Sequence, residues 1–194
     1  MSLVNSNIKK SKTIPSRFYY SKSLFNGIKE NLFPKYWQFV CDQSQLNNDG
    51  DAFPYEFIEN FIKDPLLLVN DNDTIHSMSN VCTHRGNILV EKPMNLNNGI
   101  ICRYHGRKFD LCGKFKFMPK CEDVENFPSE DDNLKNIAVK KWKQFYFTSI
   151  HPEIEFKDLI KEMDERVGWM PIENFIFSKE RSKEIKQPWR CFPI

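Results

Sequence analysis

The sequence predicts a mainly β fold with an N-terminal helix and a short α+β C-terminal extension. Three observations carry this. Short apolar and aromatic runs of strand length recur through residues 36–150, broken at close intervals by Asp, Asn, Gly and Pro clusters. Helical spacing of apolar residues occurs only in two stretches, one near each end. The composition is globular, with 40% hydrophobic and 28% charged residues among 194, enough for one ordinary domain plus material at the ends.

The elements follow in order. Residues 1–16 are polar and basic with few apolar anchors. Leu24, Phe25, Ile28 and Leu32 give residues 21–32 one apolar helical face, and Pro34 should stop that helix. Tyr36, Trp37, Phe39 and Val40 read as the first strand, and the turn cluster Asn47–Asp51 follows. Phe53–Ile58, Leu66–Asn70 and Thr74–Val81 are the next strands, with Asp71–Asp73 as the turn before Thr74. Gly99–Arg103, Lys114–Met118, Asn136–Trp142 and Phe145–Ile150 complete the β region, Leu111–Gly113 turning the chain before Lys114. Leu159, Ile160, Met163 and Val167 then share a second helical face, and Gly168 is placed to end it. Phe175–Phe177 and Glu184–Trp189 read as further strands. The expected divisions are a tail and helix over 1–34, a complete β domain over 35–152, and an extension over 153–194 too short to bury its own core.

Composition excludes several function classes. Mean hydropathy is −0.56. The longest clean apolar run is Leu66–Val69, against the roughly 20 residues that a membrane helix needs. No apolar segment of the secretory type opens the chain, so a cytoplasmic protein without a membrane partner is expected. The net charge is +2, with the basic excess confined to residues 1–30. No recognition motif accompanies that basic start, so it reads as a solvated tail and no nucleic-acid partner is expected. Six cysteines without a secretory signal do not read as a disulfide framework.

The cysteines point instead to a metal. Cys82-Thr83-His84-Arg85-Gly86 and Cys102-Arg103-Tyr104-His105-Gly106 form a Cys-x-His and a Cys-x-x-His loop. A lone Cys is usually a small buried hydrophobe, and a lone His a satisfied polar group. Here two Cys and two of the four His fall in matched loops, and each loop ends in one of only seven glycines. Two thiolates and two imidazoles suit a tetrahedral zinc ion. They equally suit a [2Fe–2S] cluster with Cys on one iron and His on the other. A zinc finger keeps Cys with Cys and His with His, whereas here each loop supplies one of each.

The pair CTHRG and CRYHGRKFD resembles the Rieske [2Fe-2S] domain of Rieske non-haem iron oxygenases, specifically the ring-hydroxylating oxygenase alpha subunit. The resemblance covers most of the chain. The family opens with an apolar-anchored helix and a Trp-containing strand, as in Ser23–Val40. It follows the second loop with Phe-Asp-x-x-Gly and a Met-Pro, here Phe109–Gly113 and Met118-Pro119. It ends the domain on a strand such as Phe145–Ile150. Arg107 replaces the Trp common after His-Gly, and Cys112 stands where an acidic or small residue is usual; neither is a ligand position.

The resemblance implies a Rieske iron-sulfur β-sandwich over 35–152 and the start of an oxygenase catalytic-like domain over 153–194. It implies that Cys82 and Cys102 bind the buried iron as thiolates. His84 and His105 would bind the outer iron through one ring nitrogen and expose the other at the protein tip as the electron exit. Gly86 and Gly106 would let backbone N–H groups approach the cluster, and Arg85 and Tyr104 would lie around it. The Rieske proteins of respiratory and photosynthetic cytochrome complexes add a disulfide between the loops, but Asn87 and Tyr104 occupy the corresponding places. Those proteins also place a Ser hydroxyl on a cluster sulfur where Arg107 stands here. With fewer such hydrogen bonds the oxidised state is favoured. A redox titration is expected to place the potential toward the low end of the roughly −150 to +300 mV Rieske range; a value near the upper end would contradict this.

The partners so implied are a ferredoxin or flavin reductase as electron donor and an oxygenase catalytic domain as acceptor, normally in the neighbouring subunit of a homo-oligomeric ring. The substrate implied is small, and apolar or aromatic. The family's second site, a mononuclear iron on two His and a carboxylate, is not encoded: only His76 and His151 remain, far apart in sequence. The chain alone therefore should not activate O₂. Two other readings stand beside this one, a standalone Rieske ferredoxin-like carrier and a structural zinc domain. Cys41, Cys112, Cys121 and Cys191 are expected to be free thiols.

Overall fold

The computed structural model describes residue 5 and residues 7–59, 61–121 and 124–176. Helix α1 (Arg17–Tyr20) leads into α2 (Lys22–Asn31), whose first turn is capped by the Ser21 hydroxyl accepting from Leu24 N–H at 3.4 Å. Pro34 sits inside a following 3-10 turn, Phe33–Lys35, as expected of a residue that cannot continue an α-helix. The apolar face of α2 meets the tip of a hairpin, with Phe25 and Phe33 each set edge-on to Phe61 at 5.1 Å.

Ten strands follow. They are β1 (Gln38–Asp42), β2 (Asp51–Ile58), β3 (Ile62–Asp71), β4 (Thr74–Ser79), β5 (Met94–Asn95), β6 (Ile100–Ile101), β7 (Lys108–Phe109), β8 (Phe115–Phe117), β9 (Asn136–Trp142) and β10 (Phe145–Ser149). Seven form an antiparallel sheet in the order β1-β10-β9-β4-β3-β2-β5, and β6-β7-β8 form a second, antiparallel sheet of three.

Strand β3 explains the one clean apolar run. Leu66, Leu67, Leu68 and Val69 are each 0% exposed. Side chains alternate across a strand. Leu66 packs with Phe57 and Ile137, and Leu68 with Cys41 and Tyr146, whereas Leu67 and Val69 pack with Met78 and Phe109. A strand covered on both faces reads as continuous hydrophobe rather than alternation. Each such side chain contributes about 1.5–3 kcal/mol on burial. The second face is covered by the small sheet, which thereby rests on the large one. The buried Tyr55 hydroxyl is paired with Ser77 at 3.0 Å and Thr148 at 3.2 Å, and burial pushes its phenol up to about 12.

Helix α3 (Phe156–Val167) ends at Gly168 as the spacing predicts. It lies on the outer face of β9 and β10, where Ile160 and Ile172 bury Trp142 and the Trp142 indole donates to Asp164 at 2.7 Å. The chain before β1 is sutured to the chain after β10. His151 N–H and the Ser149 hydroxyl donate to Pro34 C=O, and the Trp37 indole donates to Ile154 C=O at 2.8 Å.

Local readings differ at several edges. β3 starts four residues earlier than expected, because Pro65 lies beyond the end of β4, where its missing N–H costs no ladder bond on that side. The first strand lies at 38–42 rather than 36–40. The strand expected at 99–103 shortens to Ile100–Ile101 because Cys102 already begins a turn. β5 and β7, two residues each, have no periodicity to find. Among the described residues Phe175 and Ile176 pair with no strand; the rest of that expected strand, the one at Glu184–Trp189, and Cys191 lie outside the described residues. The five described cysteines are all free.

Candidate metal centre

Two loops are built to the same plan. Residues 82–87 follow β4, and residues 102–107 join β6 to β7. In each, the Cys N–H donates to the carbonyl five residues on, Asn87 or Arg107, at 2.8 Å. In each, the Gly N–H donates back to the Cys carbonyl at 3.0 Å. That closure requires left-handed backbone at Gly86 (φ +69) and Gly106 (φ +73), which only glycine adopts without strain. The loops are clipped at their bases by the Val81–Ile88 bridge and the Ile101–Lys108 pair. The first is also held by Asn80, whose side chain donates to Val90 C=O at 2.7 Å and accepts from Val90 N–H at 2.9 Å.

The identical frame places the cysteines alike. Cys82 and Cys102 are each 2% exposed and rooted together in the core beside Ile100 and Phe109. The histidines stand outside them with rings edge-to-face at 4.8 Å. His84 is exposed and His105 half-buried. The Nδ1 atom of His105 is buried without any hydrogen-bond partner, a cost of about 1–3 kcal/mol if nothing met it.

This donor set fits a [2Fe–2S] cluster. It offers a deep thiol pair, an outer imidazole pair and one orphaned ring nitrogen. Among the described residues no three His, Cys, Asp or Glu side chains gather where one metal ion could hold them together, as a tetrahedral zinc site would require. Burial pushes the Cys82 thiol up, and Cys102 beside it adds to this, while the His84 backbone N–H and the Arg107 charge act against both. Burial, then the electrostatic influence of His105, Arg85 and Arg107, holds His84 below the usual imidazole range, favouring the neutral form that ligates metals.

The two loops place Cys82, His84, Cys102 and His105 close together. Tyr104, 58% exposed, lies against the His105 ring at 3.8 Å. Arg85 sits exposed on the rim of the first loop. His76 and His151 are elsewhere: His76 faces Asp71 at 3.9 Å on β4, and His151 follows β10. The contacts of Asn87, Thr83, Arg107 and Asp132 escaped the sequence reading, which had noted Asn87 and Arg107 only as departures from the resembled pattern. The Asn87 amide donates toward Cys102 Sγ at 3.8 Å, giving a sulfur one hydrogen bond. Arg107 is buried, and it reaches Thr83 and Asp132. The only signal for Arg107 was a charge where an aromatic residue is common; Asp132 gave none.

Comparison with known proteins agrees. The model of the Rieske [2Fe-2S] domain matches residues 36–128. The carnitine monooxygenase oxygenase subunit of Escherichia coli (strain K12) is 34% identical over 141 residues, covering 72% of this chain and 37% of that protein. The glycine betaine monooxygenase oxygenase subunit of Chromohalobacter salexigens is 25% identical over 182 residues, 92% of this chain and 39% of that one. Among solved structures, the quaternary ammonium Rieske monooxygenase CntA in complex with gamma-butyrobetaine superposes with a TM-score of 0.71 at 26% identity, covering 80% of this chain and 44% of that one. Naphthalene 1,2-dioxygenase gives 0.62 at 25% identity, over 71% and 31%. The chain spans less than half the length of these relatives. Among the described residues no helix is long and apolar enough to cross a membrane.

Proposed function

Residues 36–128 form a Rieske [2Fe-2S] domain homologous to those of Rieske oxygenases, and from this premise we propose that the chain is the electron-transferring part of an oxygenase subunit. In this reading it takes electrons from a ferredoxin or flavin reductase and delivers them to a mononuclear iron in an oxygenase catalytic domain. A Rieske domain implies a Rieske [2Fe–2S] cluster, and when bound that group supplies reversible one-electron chemistry.

The chain's own residues then have defined tasks. Cys82 and Cys102 would hold the cluster as thiolates from the floor of the site. His84 and His105 would hold the cluster from outside through one ring nitrogen each, the buried, unpartnered Nδ1 being the candidate at His105, and would present their other ring edges where a partner would dock. Gly86 and Gly106 close the loops by donating their N–H groups to the Cys82 and Cys102 carbonyls. The observation that carries this is the duplicated loop frame with paired buried thiols beneath paired imidazoles.

We place the cluster domain at residues 35–152 and the opening of a catalytic domain at 153–194. The acceptor iron would be bound by residues outside those described, in this subunit or a neighbour within an oligomer; a relative's structure has been described in terms of inter-subunit electron transfer. The 34% identity to a carnitine monooxygenase subunit supports a quaternary ammonium compound as the substrate class of the whole protein, in preference to an aromatic ring.

The test is direct. The purified chain is expected to be red-brown, to contain iron and acid-labile sulfide in equal amounts, and to give a rhombic EPR signal on reduction. A colourless protein containing zinc would overturn the proposal.

A further inference from the structure

Among the described residues Arg107 is the one charged side chain buried beside the candidate cluster; its two terminal nitrogens are partnered, while its Nε is buried without a partner. Its side chain is 3% exposed. One guanidinium nitrogen donates to the Thr83 hydroxyl at 2.8 Å and the other forms an ion pair with Asp132. The guanidinium also lies over the Phe115 and Phe127 rings, at 4.9 and 5.5 Å. Thr83 closes the triangle by donating to the Asp132 carbonyl at 2.8 Å. The second Asp132 oxygen accepts from Ser129 N–H at 2.7 Å. Burial pushes the Asp132 carboxyl up, but its hydrogen bonds from Ser129 and Arg107 outweigh this and hold it below the usual range.

A guanidinium removed from water is costly unless paired and hydrogen-bonded, so this arrangement constrains everything it touches. Thr83 stands between Cys82 and His84 in the first loop; Arg107 is the closing residue of the second. We propose that Arg107 is a positioning residue that locks the two ligand loops together through Thr83 and Asp132, and whose charge, balanced by Asp132, sets how readily the cluster is reduced. The inference rests on the ligand assignment given under the proposed function. Reduction adds one negative charge to the site, so a nearby buried cation favours the reduced state and a nearby carboxylate opposes it.

A purely structural pair would shift the potential in the same direction whichever partner was removed, or not at all. An electrostatic pair gives opposite signs. The test is potentiometric titration of the cluster-loaded chain in three variants. Arg107→Met is expected to shift the one-electron equilibrium about tenfold toward the oxidised form, about 59 mV more negative. Asp132→Asn is expected to shift it the other way, and Arg107→Lys to restore most of the Arg107→Met loss. Shifts of the same sign in Arg107→Met and Asp132→Asn, or none in either, would overturn the proposal. If Arg107→Met does not fold, a positive shift in Asp132→Asn supports the proposal and an unchanged potential overturns it. Amide exchange of residues 83–87 in the chain stripped of metal judges the lock separately. Faster exchange in Arg107→Met or Arg107→Lys than in the wild type supports it, and equal rates overturn it, even if the wild type proves to bind no cluster.

Discussion

Replacing Cys102 by serine is expected to leave a folded chain that holds almost no iron or sulfide. The side chain is 2% exposed and packs in the core that joins the small sheet to β3 and β4. Its sulfur, the proposed donor of the second loop, receives the Asn87 amide at 3.8 Å. A serine hydroxyl is a harder donor than thiolate, poorly matched to an iron–sulfur cluster, and would not ionise in that position. The loss should exceed the roughly 10–100-fold drop in metal affinity that follows removal of a mere outer partner. The loop frame depends on the backbone of residue 102 rather than on its sulfur, so circular dichroism should remain close to the wild type. Iron and acid-labile sulfide assays on purified protein make the measurement. Full iron content in Cys102→Ser would remove this residue from the ligand set and, with it, the symmetry argument for Cys82.

The contrast between what the sequence disclosed and what it concealed follows from range. Cys82, His84, Cys102 and His105 were legible as a candidate ligand set because spacing within a short loop is a local property, and the closure at Gly86 and Gly106 because a turn folded on itself is local too. The helix before Pro34 and the helix ending at Gly168 were legible for the same reason: period and stop signals lie within a dozen residues. β7 was not, since a two-residue strand exists only because β6 and β8 flank it. The burial of Leu66–Val69 on both faces depends on partners from five other strands and the small sheet, which no window along β3 contains.

Arg107 is the instructive case. Its position beside the second loop marked it as a departure from the resembled pattern, but an arginine after a loop glycine is ordinarily solvated. What buries it is Asp132, 25 residues further on, in a segment whose only visible signal is a capping serine. Asn87 is similar: the sequence offered it as a place where no disulfide could form, and the structure gives it a sulfur to donate to instead. That bond works against the expected low potential, while the missing hydroxyl at position 107 works toward it. The titration therefore weighs one amide donor against one absent hydroxyl, with the Arg107 charge acting on both.

Replacing His84 by cysteine is expected to have the largest effect on the redox potential of any single substitution at this site. His84 is the exposed member of the imidazole pair, and its ring meets that of His105 at 4.8 Å. A neutral imidazole there leaves the outer iron's ligands without negative charge; a thiolate adds one. Added negative charge stabilises the oxidised state, so the potential should fall from the Rieske range toward the roughly −400 mV of all-cysteine [2Fe–2S] proteins. The EPR signal should change as well, because the ligand field of the outer iron has changed. This separates the prediction from the one for Arg107, where the ligands stay the same and the potential alone should move. Loss of the cluster on His84→Cys would show that the shorter side chain cannot reach the iron, and His105→Cys would then decide, its position being fixed by the half-buried ring it replaces. A wild-type spectrum and potential in both variants would show that neither imidazole is a ligand.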